Sequence, residues 1–291
     1  MRIGLHALGI GTGSDPAVIA AVATAAEDHG FATLWAGEHV VMVDEPRSRY
    51  PYAADGVIAV PPAADWLDPM VTLTFAAAVT ARIRVATGIL LLPEHNPVIV
   101  AKQAASLDRL SGGRLTLGVG IGWSAEEFEA LGVPFARRAA RTAAYVDAMR
   151  TLWSSEVCSY DSEFVRFEAI RVNPKPHQSR LPVVLGGNSD PALRRVAAWG
   201  DGWYGFNLAG PCEVQDRLQL LRTLCAERGR DRDELDVAVA LGDPRPGDDV
   251  LLAELGVDEL VLVEPPPADP GDAGTWVRTL ADRWSRFLGA R

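Results

Sequence analysis

Short apolar runs alternate along the chain with longer stretches in which apolar residues recur at helical spacing. The first run, residues 2–8, ends near a glycine and is followed by Pro16–Asp28, whose apolar residues fall on one helical face. The runs predicted as strands cover residues 2–8, 31–36, 83–92, 114–120, 182–185, 202–206, 235–241 and 259–263. Each run is followed by a predicted helix, so strands and helices alternate throughout the sequence.

This alternation is typical of a parallel sheet with right-handed crossovers. Eight strand–helix units are the number that closes a (β/α)8 barrel, so we predict an α/β fold, a TIM barrel with insertions, as one domain over residues 1–291. An open, doubly wound sheet is the alternative. That fold typically carries G-x-G-x-x-G after its first strand, whereas residues 9–13 read GIGTG and lack the third glycine at the required place.

Two stretches interrupt the alternation and are predicted as insertions, at about residues 40–68 and 154–181. The first is rich in proline and has no strand or helix periodicity, yet it carries Tyr50, Tyr52 and Trp66. Long segments without regular structure are usually functional, and exposed aromatic rings are unfavourable. We therefore expect these rings to pack over a pocket and the segment to be mobile without substrate. In the second insertion, residues 160–167 fit a small hairpin.

Composition narrows the range of partners. The chain has 28 basic and 38 acidic residues, and its net charge of −10 argues against non-specific binding to nucleic acid or an anionic membrane. Cys158, Cys212 and Cys225 are scattered, so neither a metal site nor a disulfide framework is expected. We find no signal sequence and no apolar run of the roughly 18 residues that a membrane span needs, and we expect a cytoplasmic protein.

Chemistry in a TIM barrel is expected at the C-terminal ends of the strands. The first of these ends carries His6, and the second carries Glu38 and His39. His39 is the best candidate acid or base, because an unperturbed histidine titrates near neutral pH. After the fourth strand, Ser124 and Glu127 have the spacing of a helix capping box.

Glycine-rich turns follow the fourth and fifth predicted strands, at residues 118–122 and 186–187, and face the same end of the barrel. Glycine lets the backbone approach a flat ring or a phosphate closely. The second turn leads into a predicted helix at residues 191–199, whose free N–H groups favour an anion. An ordinary capped turn explains this pattern equally well. The chain has only two lysines, so any anion would be held by arginines or backbone N–H groups.

Several motifs in a fixed order carry a resemblance to a known family. They read IRVATGILL at residues 83–91, NP at 96–97, LDRLSGGR at 107–114, LGVGIGW at 117–123 and LPVVLGGN at 181–188. In this combination the chain resembles the bacterial luciferase-like flavin and deazaflavin oxidoreductases, and within them the branch that uses coenzyme F420. The resemblance implies a TIM barrel with a flavin-type ring at the strand ends, and a homodimer.

The resemblance also implies roles for individual residues. His39, with Glu38 beside it, would lie at the reactive centre of the ring, and Thr87 and Gly88 would back the ring at a non-proline cis peptide bond. The other residues implied to contact the ring and its side chain are Gly120, Ile121, Gly122 and Trp123, and those implied to bind the phosphate are Gly186, Gly187, Asn188 and Ser189.

We therefore predict an oxidoreductase that transfers a hydride between F420 and a small, largely apolar organic substrate. The deazaflavin-dependent glucose-6-phosphate dehydrogenases of this family carry glutamate where Trp123 stands, which argues against a sugar phosphate. An FMN-dependent luciferase-like monooxygenase is the alternative. A barrel that binds its cofactor without turnover is a third hypothesis, because no second acid or base is evident near His39.

Overall fold

The computed structural model describes residues 1–284 and contains a closed barrel of eight parallel strands. In chain order the strands are β1 (Arg2–His6), β2 (Thr33–Ala36), β3 (Arg84–Thr87), β4 (Leu115–Val119), β5 (Cys158–Asp161), β6 (Arg166–Ile170), β7 (Val183–Gly186), β8 (Gly202–Leu208), β9 (Asp236–Leu241) and β10 (Glu259–Val263). Strands β5 and β6 form a separate antiparallel hairpin, and the other eight make the barrel. The ring closes because β1 pairs with both β2 and β10. This closure confirms the (β/α)8 barrel and excludes the open, doubly wound sheet.

Helices surround the barrel. They are α1 (Pro16–Asp28), α2 (Pro69–Ala78), α3 (Pro97–Leu110), α4 (Ala125–Ala130), α5 (Arg138–Ser154), α6 (Asp190–Trp199), α7 (Pro211–Ala226), α8 (Asp248–Leu255) and α9 (Pro270–Arg283). The first three begin with proline directly after Asp15, Asp68 and Asn96, whose side chains accept hydrogen bonds from N–H groups of the first turn. Within residues 1–284, no helix is both long enough and apolar enough to cross a membrane.

The boundaries of several elements differ from the sequence prediction, and three of these differences are the following. β3 ends at Thr87 instead of continuing to residue 92, and pairing resumes only in an isolated bridge between Leu90 and Val119. Helix α5 begins at Arg138 rather than at residue 135. The closing helix runs to Arg283, and residues 285–288 of that prediction lie outside the described part of the chain.

The two insertions differ in structure. The hairpin β5–β6 confirms the one expected within residues 154–181. Residues 40–68 form no helix and no ladder strand, apart from a single bridge between Ile10 and Trp66. This stretch, called the 40–68 segment below, crosses the C-terminal mouth of the barrel, where Tyr50, Tyr52 and Trp66 line one cavity with the strand ends.

Large side chains fill the barrel beneath that mouth. Trp35 and Tyr204 are buried and stack with their ring centroids 4.6 Å apart. The indole N–H of Trp35 donates to Glu259 at 2.8 Å, and the hydroxyl of Thr33 donates to the same carboxylate at 2.9 Å. Because the interior is packed in this way, the space for a ligand lies at the mouth, as expected for this fold.

Candidate active site

A cavity of about 530 Å³ opens at the C-terminal mouth of the barrel. Ligand pockets typically measure roughly 300–1,000 Å³. Most of its walls are apolar or aromatic, and they include Leu8, Ile58, Val60, Ile89, Leu91, Phe206 and Pro265. The polar side chains in the walls include His6, Glu38, His39 and Asn207. A ligand here would meet mainly apolar surface and a few polar groups at defined places.

His39 lies in this wall just after β2, where the sequence places it, and both of its ring nitrogens have partners. Nδ1 lies 2.8 Å from Oε2 of Glu127, and the indole N–H of Trp123 donates to Nε2 at 3.3 Å. An indole N–H can only donate, so Nε2 acts as the acceptor and Nδ1 carries the hydrogen that is donated to Glu127. The contacts therefore select one neutral tautomer, in which Nε2 has the free electron pair of a base.

Glu127 fixes this arrangement and is fully buried. Its Oε1 accepts the backbone N–H groups of Val40 at 2.7 Å and Val41 at 3.2 Å. The capping box predicted with Ser124 is only half formed. The Ser124 hydroxyl accepts the N–H of Glu127 at 3.3 Å, but the Glu127 carboxylate turns away toward residues 39–41. The sequence pattern thus located Glu127 without indicating its contact with His39.

Glu38, predicted to be catalytic, lines the pocket with both carboxylate oxygens engaged. Oε2 accepts the backbone N–H of Leu91 at 2.6 Å, and Oε1 lies 3.0 Å from Nε2 of His95. Burial opposes a charge on His95, but the hydrogen bond and the negative charge of Glu38 outweigh burial and raise the pKa of His95. Glu38 therefore ties the end of β2 to the turn after β3, and a catalytic role for it stays a prediction.

Glu94 is a buried acid next to this network. Neither of its carboxylate oxygens has a hydrogen-bond partner among residues 1–284. Burial, reinforced by the charges of Glu127 and Glu38, raises the pKa of Glu94 to about 9. Glu94 is therefore a neutral carboxylic acid at neutral pH in the folded protein.

We expect Glu94→Gln to raise the free energy of unfolding at about pH 8 by on the order of 3 kcal/mol. The unfolded chain loses the Glu94 proton above pH 4.5, whereas the folded protein keeps it up to about pH 9, so wild-type stability falls with rising pH across that window. The gain should be much smaller at about pH 5. Denaturant unfolding of both proteins at the two pH values measures it, and an equal gain at both would contradict a neutral Glu94.

The floor of the pocket carries a hydrogen-bonded pair, His6 and Tyr204. His6 Nδ1 lies 3.1 Å from the Tyr204 hydroxyl, and both residues are buried. Burial lowers the pKa of His6 to about 4 and raises that of Tyr204. Both groups are therefore uncharged at neutral pH and offer hydrogen bonds rather than charge.

The turn after β3 forms another part of the floor. The Gly88–Ile89 peptide bond is cis, as the family resemblance implies. A Cβ on Gly120 would lie 2.1 Å from Cδ1 of Ile89, and one on Gly186 would lie 2.5 Å from the same atom. These two glycines therefore make room for the Ile89 side chain, which lines the pocket in their place.

The aromatic rings of the 40–68 segment lie over the pocket, as predicted. Tyr50, Tyr52 and Trp66 all line it. The indole N–H of Trp66 donates to the Gly37 carbonyl at 3.0 Å, and the Tyr50 ring meets that of Trp123 edge-on with centroids 5.3 Å apart. Mobility of the segment stays a prediction.

The turn predicted to bind phosphate follows β7. Gly187 lines the pocket and has φ of +113°, a conformation that L side chains rarely adopt. The Asn188 side chain bonds to both backbone groups of Phe206, accepting its N–H at 3.2 Å and donating to its carbonyl at 2.7 Å. Asn188 thus anchors this turn to β8 through its side chain.

Asp190, the charged residue in the first turn of α6, has a partner on another helix. Ser189 is the N-cap, and its hydroxyl accepts the N–H of Ala192 at 3.4 Å. The Asp190 carboxylate pairs with Arg217 at 2.8 Å. This ion pair compensates a carboxylate that would otherwise repel an anion near the helix start.

The structure divides the predicted site residues into two groups. Those that line the pocket are Glu38, His39, Gly88, Trp123, Gly186 and Gly187. Those in the adjoining strand ends and turns, outside the pocket lining, are Thr87, Gly120, Ile121, Gly122, Asn188 and Ser189. Direct cofactor contact by any of these residues stays a prediction.

The sequence is similar to known proteins along most of its length. An uncharacterized protein of Mycobacterium tuberculosis is 39% identical over 265 residues, which cover 90% of this chain and 92% of that protein. Among solved structures, the monooxygenase RslO1 from Streptomyces bottropensis aligns with a TM-score of 0.79 at 20% identity, covering 98% of this chain and 99% of that one. The F420-dependent tetrahydromethanopterin reductase from Methanopyrus kandleri aligns with a TM-score of 0.74 at 19% identity, covering 95% and 96%.

The structural similarities have low sequence identity and support the fold. The family of luciferase-like monooxygenases matches the sequence directly, from residue 3 to residue 242. This range extends from β1 to the end of β9 and includes His39, Glu127 and both glycine-rich turns. The chain belongs to the luciferase-like monooxygenase family.

Proposed function

We propose that the protein transfers a hydride between coenzyme F420 and a small, largely apolar organic substrate. The observation that carries this proposal is His39, an acid–base group held in one tautomer at the wall of a mainly apolar pocket. Oxidation of an alcohol to a carbonyl compound releases one proton together with the hydride. The protein therefore needs only one positioned base, which takes up that proton.

The bound deazaflavin would supply the hydride chemistry, and the protein would supply position, a dry environment and proton transfer. In the oxidation direction, a substrate hydroxyl takes the place of the Trp123 indole N–H as the donor to Nε2 of His39. Nε2 then accepts the proton of that hydroxyl. Glu127 then stabilises the imidazolium through Nδ1. In the reduction direction, Nε2 returns the proton to the carbonyl oxygen.

The pocket residues fit a flat ring with an anionic tail. Gly88 and Ile89 offer an apolar floor, and Trp123 stands at the side next to His39. The tail would run toward Gly187 in the turn before α6, where the N-terminus of the helix favours an anion. The residues proposed to support these contacts are Thr87, Gly120, Ile121, Gly122, Gly186, Asn188 and Ser189.

Reduced FMN is the alternative cofactor, with oxygenation of the substrate as the reaction. The match to the monooxygenase family and the similarity to the fold of the monooxygenase RslO1 support reduced FMN as the alternative cofactor. The mainly apolar walls of the pocket, with few polar groups, are compatible with either ring.

Titration of the purified protein with F420 and with FMN tests the proposal. We expect saturable F420 binding, followed by F420 reduction with an alcohol from a panel of small apolar substrates or by oxidation of reduced F420 with the ketones. Binding of reduced FMN with oxygen consumption, and no turnover with F420, would assign the alternative. Tight binding without turnover of either cofactor would favour a barrel that only binds.

We also propose that the protein is a homodimer through α2 and α3, which pack side by side. Val71 and Phe75 on α2 and Val79 directly after it recur every four residues and are 66%, 42% and 41% exposed, and Ile99 on α3 is 59% exposed. An apolar stripe of this kind is typical of an interaction surface.

Light scattering should give a dimer for wild type and a monomer for Phe75→Glu, with Phe164→Glu on the hairpin as the control. A wild-type monomer would contradict this surface.

A further inference from the structure

His6 brings a polar nitrogen to the floor of a mainly apolar pocket. The residue lines the pocket and is only 8% exposed. Its Nδ1 is bonded to the Tyr204 hydroxyl at 3.1 Å, whereas Nε2 has no hydrogen-bond partner among residues 1–284. Nε2 is also not one of the polar atoms that the described residues enclose completely. This nitrogen therefore faces the pocket without a protein partner.

The bond to Tyr204 determines which nitrogen of His6 carries the hydrogen. Burial lowers the pKa of His6 to about 4 and raises that of Tyr204, so the ring is neutral and the hydroxyl keeps its hydrogen. Tyr204 is 1% exposed, and among residues 1–284 the acceptor within reach of its hydroxyl is Nδ1. The hydroxyl therefore donates to Nδ1, and the ring hydrogen lies on Nε2. His6 thus presents an N–H donor to the pocket.

Gly37 leaves this donor uncovered. A Cβ on Gly37 would lie 3.2 Å from Nε2 of His6 and 3.1 Å from the Gly88 carbonyl oxygen. Gly37 does not have a positive φ, so its backbone conformation does not require glycine. The missing side chain instead keeps a space open beside the edge of the His6 ring. Because an N–H group without an acceptor is unfavourable, this space suits a ligand atom that accepts a hydrogen bond.

His6 and His39 follow neighbouring strands but face different parts of the pocket. His6 pairs in register with Trp35, four residues before His39, and therefore lies deeper in the barrel. The His6 ring reaches toward Tyr204 on β8. Nε2 of His39 faces Trp123, which follows β4. The two histidines therefore meet different atoms of one ligand.

We propose that the Nε2–H of His6 donates to a second oxygen of the substrate, remote from the hydroxyl that His39 deprotonates. This inference rests on the proposed function, and it narrows the substrate class to alcohols that carry a carbonyl or ether oxygen in an otherwise apolar skeleton. Tyr204 is a positioning residue, because its hydroxyl keeps the hydrogen on Nε2 and its ring is stacked on Trp35. An analogue without the second oxygen leaves the donor unpaired, and such analogues are strongly rejected.

The test compares pairs of alcohols that differ in one oxygen. The probes are tetrahydropyran-4-ol with cyclohexanol, and hydroxy ketones with their analogues that have CH2 in place of the carbonyl, over a range of spacings between the two oxygens. With F420 as the acceptor, wild type should favour the oxygen-bearing member of at least one pair by about 10- to 100-fold in kcat/KM. His6→Leu should abolish this preference by lowering kcat/KM for the oxygen-bearing member alone.

Two further variants of the pair test the same contact. Tyr204→Phe should reduce the preference, because the hydrogen is then no longer confined to Nε2, and NMR of the His6 ring nitrogens should show that change. His6→Gln, whose amide supplies an N–H in place of Nε2–H, should retain a preference of the same sign. His177→Leu removes an exposed imidazole outside the pocket lining and should leave the preference at its wild-type value.

The alcohol with one oxygen separates a lost contact from a damaged fold, because misfolding lowers kcat/KM for both members of a pair. No preference in wild type for any pair, or the wild-type preference in His6→Leu, would overturn the proposal. The dissociation constant of F420 without substrate should be the same in His6→Leu as in wild type. Weaker F420 binding would show that the donor serves the coenzyme ring, and would also overturn it.

Failure of the proposed function gives a different result. If wild type oxidises none of the alcohols with F420, the proposed function fails, and NMR of the His6 ring in the presence of the same probes decides the inference. An oxygen-bearing alcohol should then shift the Nε2 signal more than its partner with one oxygen does. Equal shifts within every pair, or no shift with any probe, would overturn the contact with His6.

Discussion

Replacing His39 with asparagine is expected to lower kcat by about 100- to 10,000-fold, the range that a positioned acid–base group contributes. Asparagine can still donate to Glu127, but it has no nitrogen with a basic electron pair at the position of Nε2. The dissociation constant of the cofactor should change little, because the substitution leaves the pocket floor at Ile89 and the turn at Gly187 intact. Steady-state turnover and cofactor titration of the same preparation measure the two effects.

His177→Asn is the matched control, because His177 is exposed and lies outside the pocket lining. It should retain wild-type turnover. If His39→Asn keeps wild-type kcat with a substrate that the enzyme accepts, His39 is not the base, and the proton must pass through another group in the pocket.

Glu127→Gln is expected to lower kcat by about 100-fold or more, because it changes which nitrogen of His39 carries the hydrogen. A glutamine has one carbonyl oxygen, which the N–H groups of Val40 and Val41 require. Its NH2 group then faces Nδ1, which must become an acceptor, and the hydrogen moves to Nε2. There it meets the indole N–H of Trp123, so two donors oppose each other and the base is lost.

Glu129→Gln is the control on the same short helix, because Glu129 is 77% exposed as a side chain and does not reach His39. NMR of the His39 ring nitrogens reports the tautomer directly and would not respond to a merely structural role. Lower activity with an unchanged tautomer would contradict the argument and leave Glu127 as a support of the 40–68 segment alone.

Much of the fold follows from local patterns in the sequence. The strand positions are visible because each run is mainly apolar, as buried parallel strands are. The starts of α1, α2 and α3 are visible because Asp or Asn followed by proline is a local signal. β3 was predicted too long because residues 88–92 remain apolar after the ladder ends, and hydrophobicity alone does not distinguish a strand from a packed turn.

Only some of the site residues could be predicted from the sequence. His39 could be predicted because it ends a strand, and the barrel determines where strand ends meet. Glu127 could not, since its partner is 88 residues away in sequence and its local pattern indicated a helix cap.

Glu126 and Glu127 hold the 40–68 segment by its main chain. Glu127 binds the N–H groups of Val40 and Val41, and Glu126 binds those of Arg47 at 2.8 Å and Ser48 at 3.1 Å. Every residue except proline offers such an N–H group, whatever its side chain. The side chains of the segment that line the pocket can therefore diverge in evolution while the attachment of the segment, and with it the orientation of His39, stays the same. The shape of the pocket and the orientation of His39 can therefore change independently of each other in this fold.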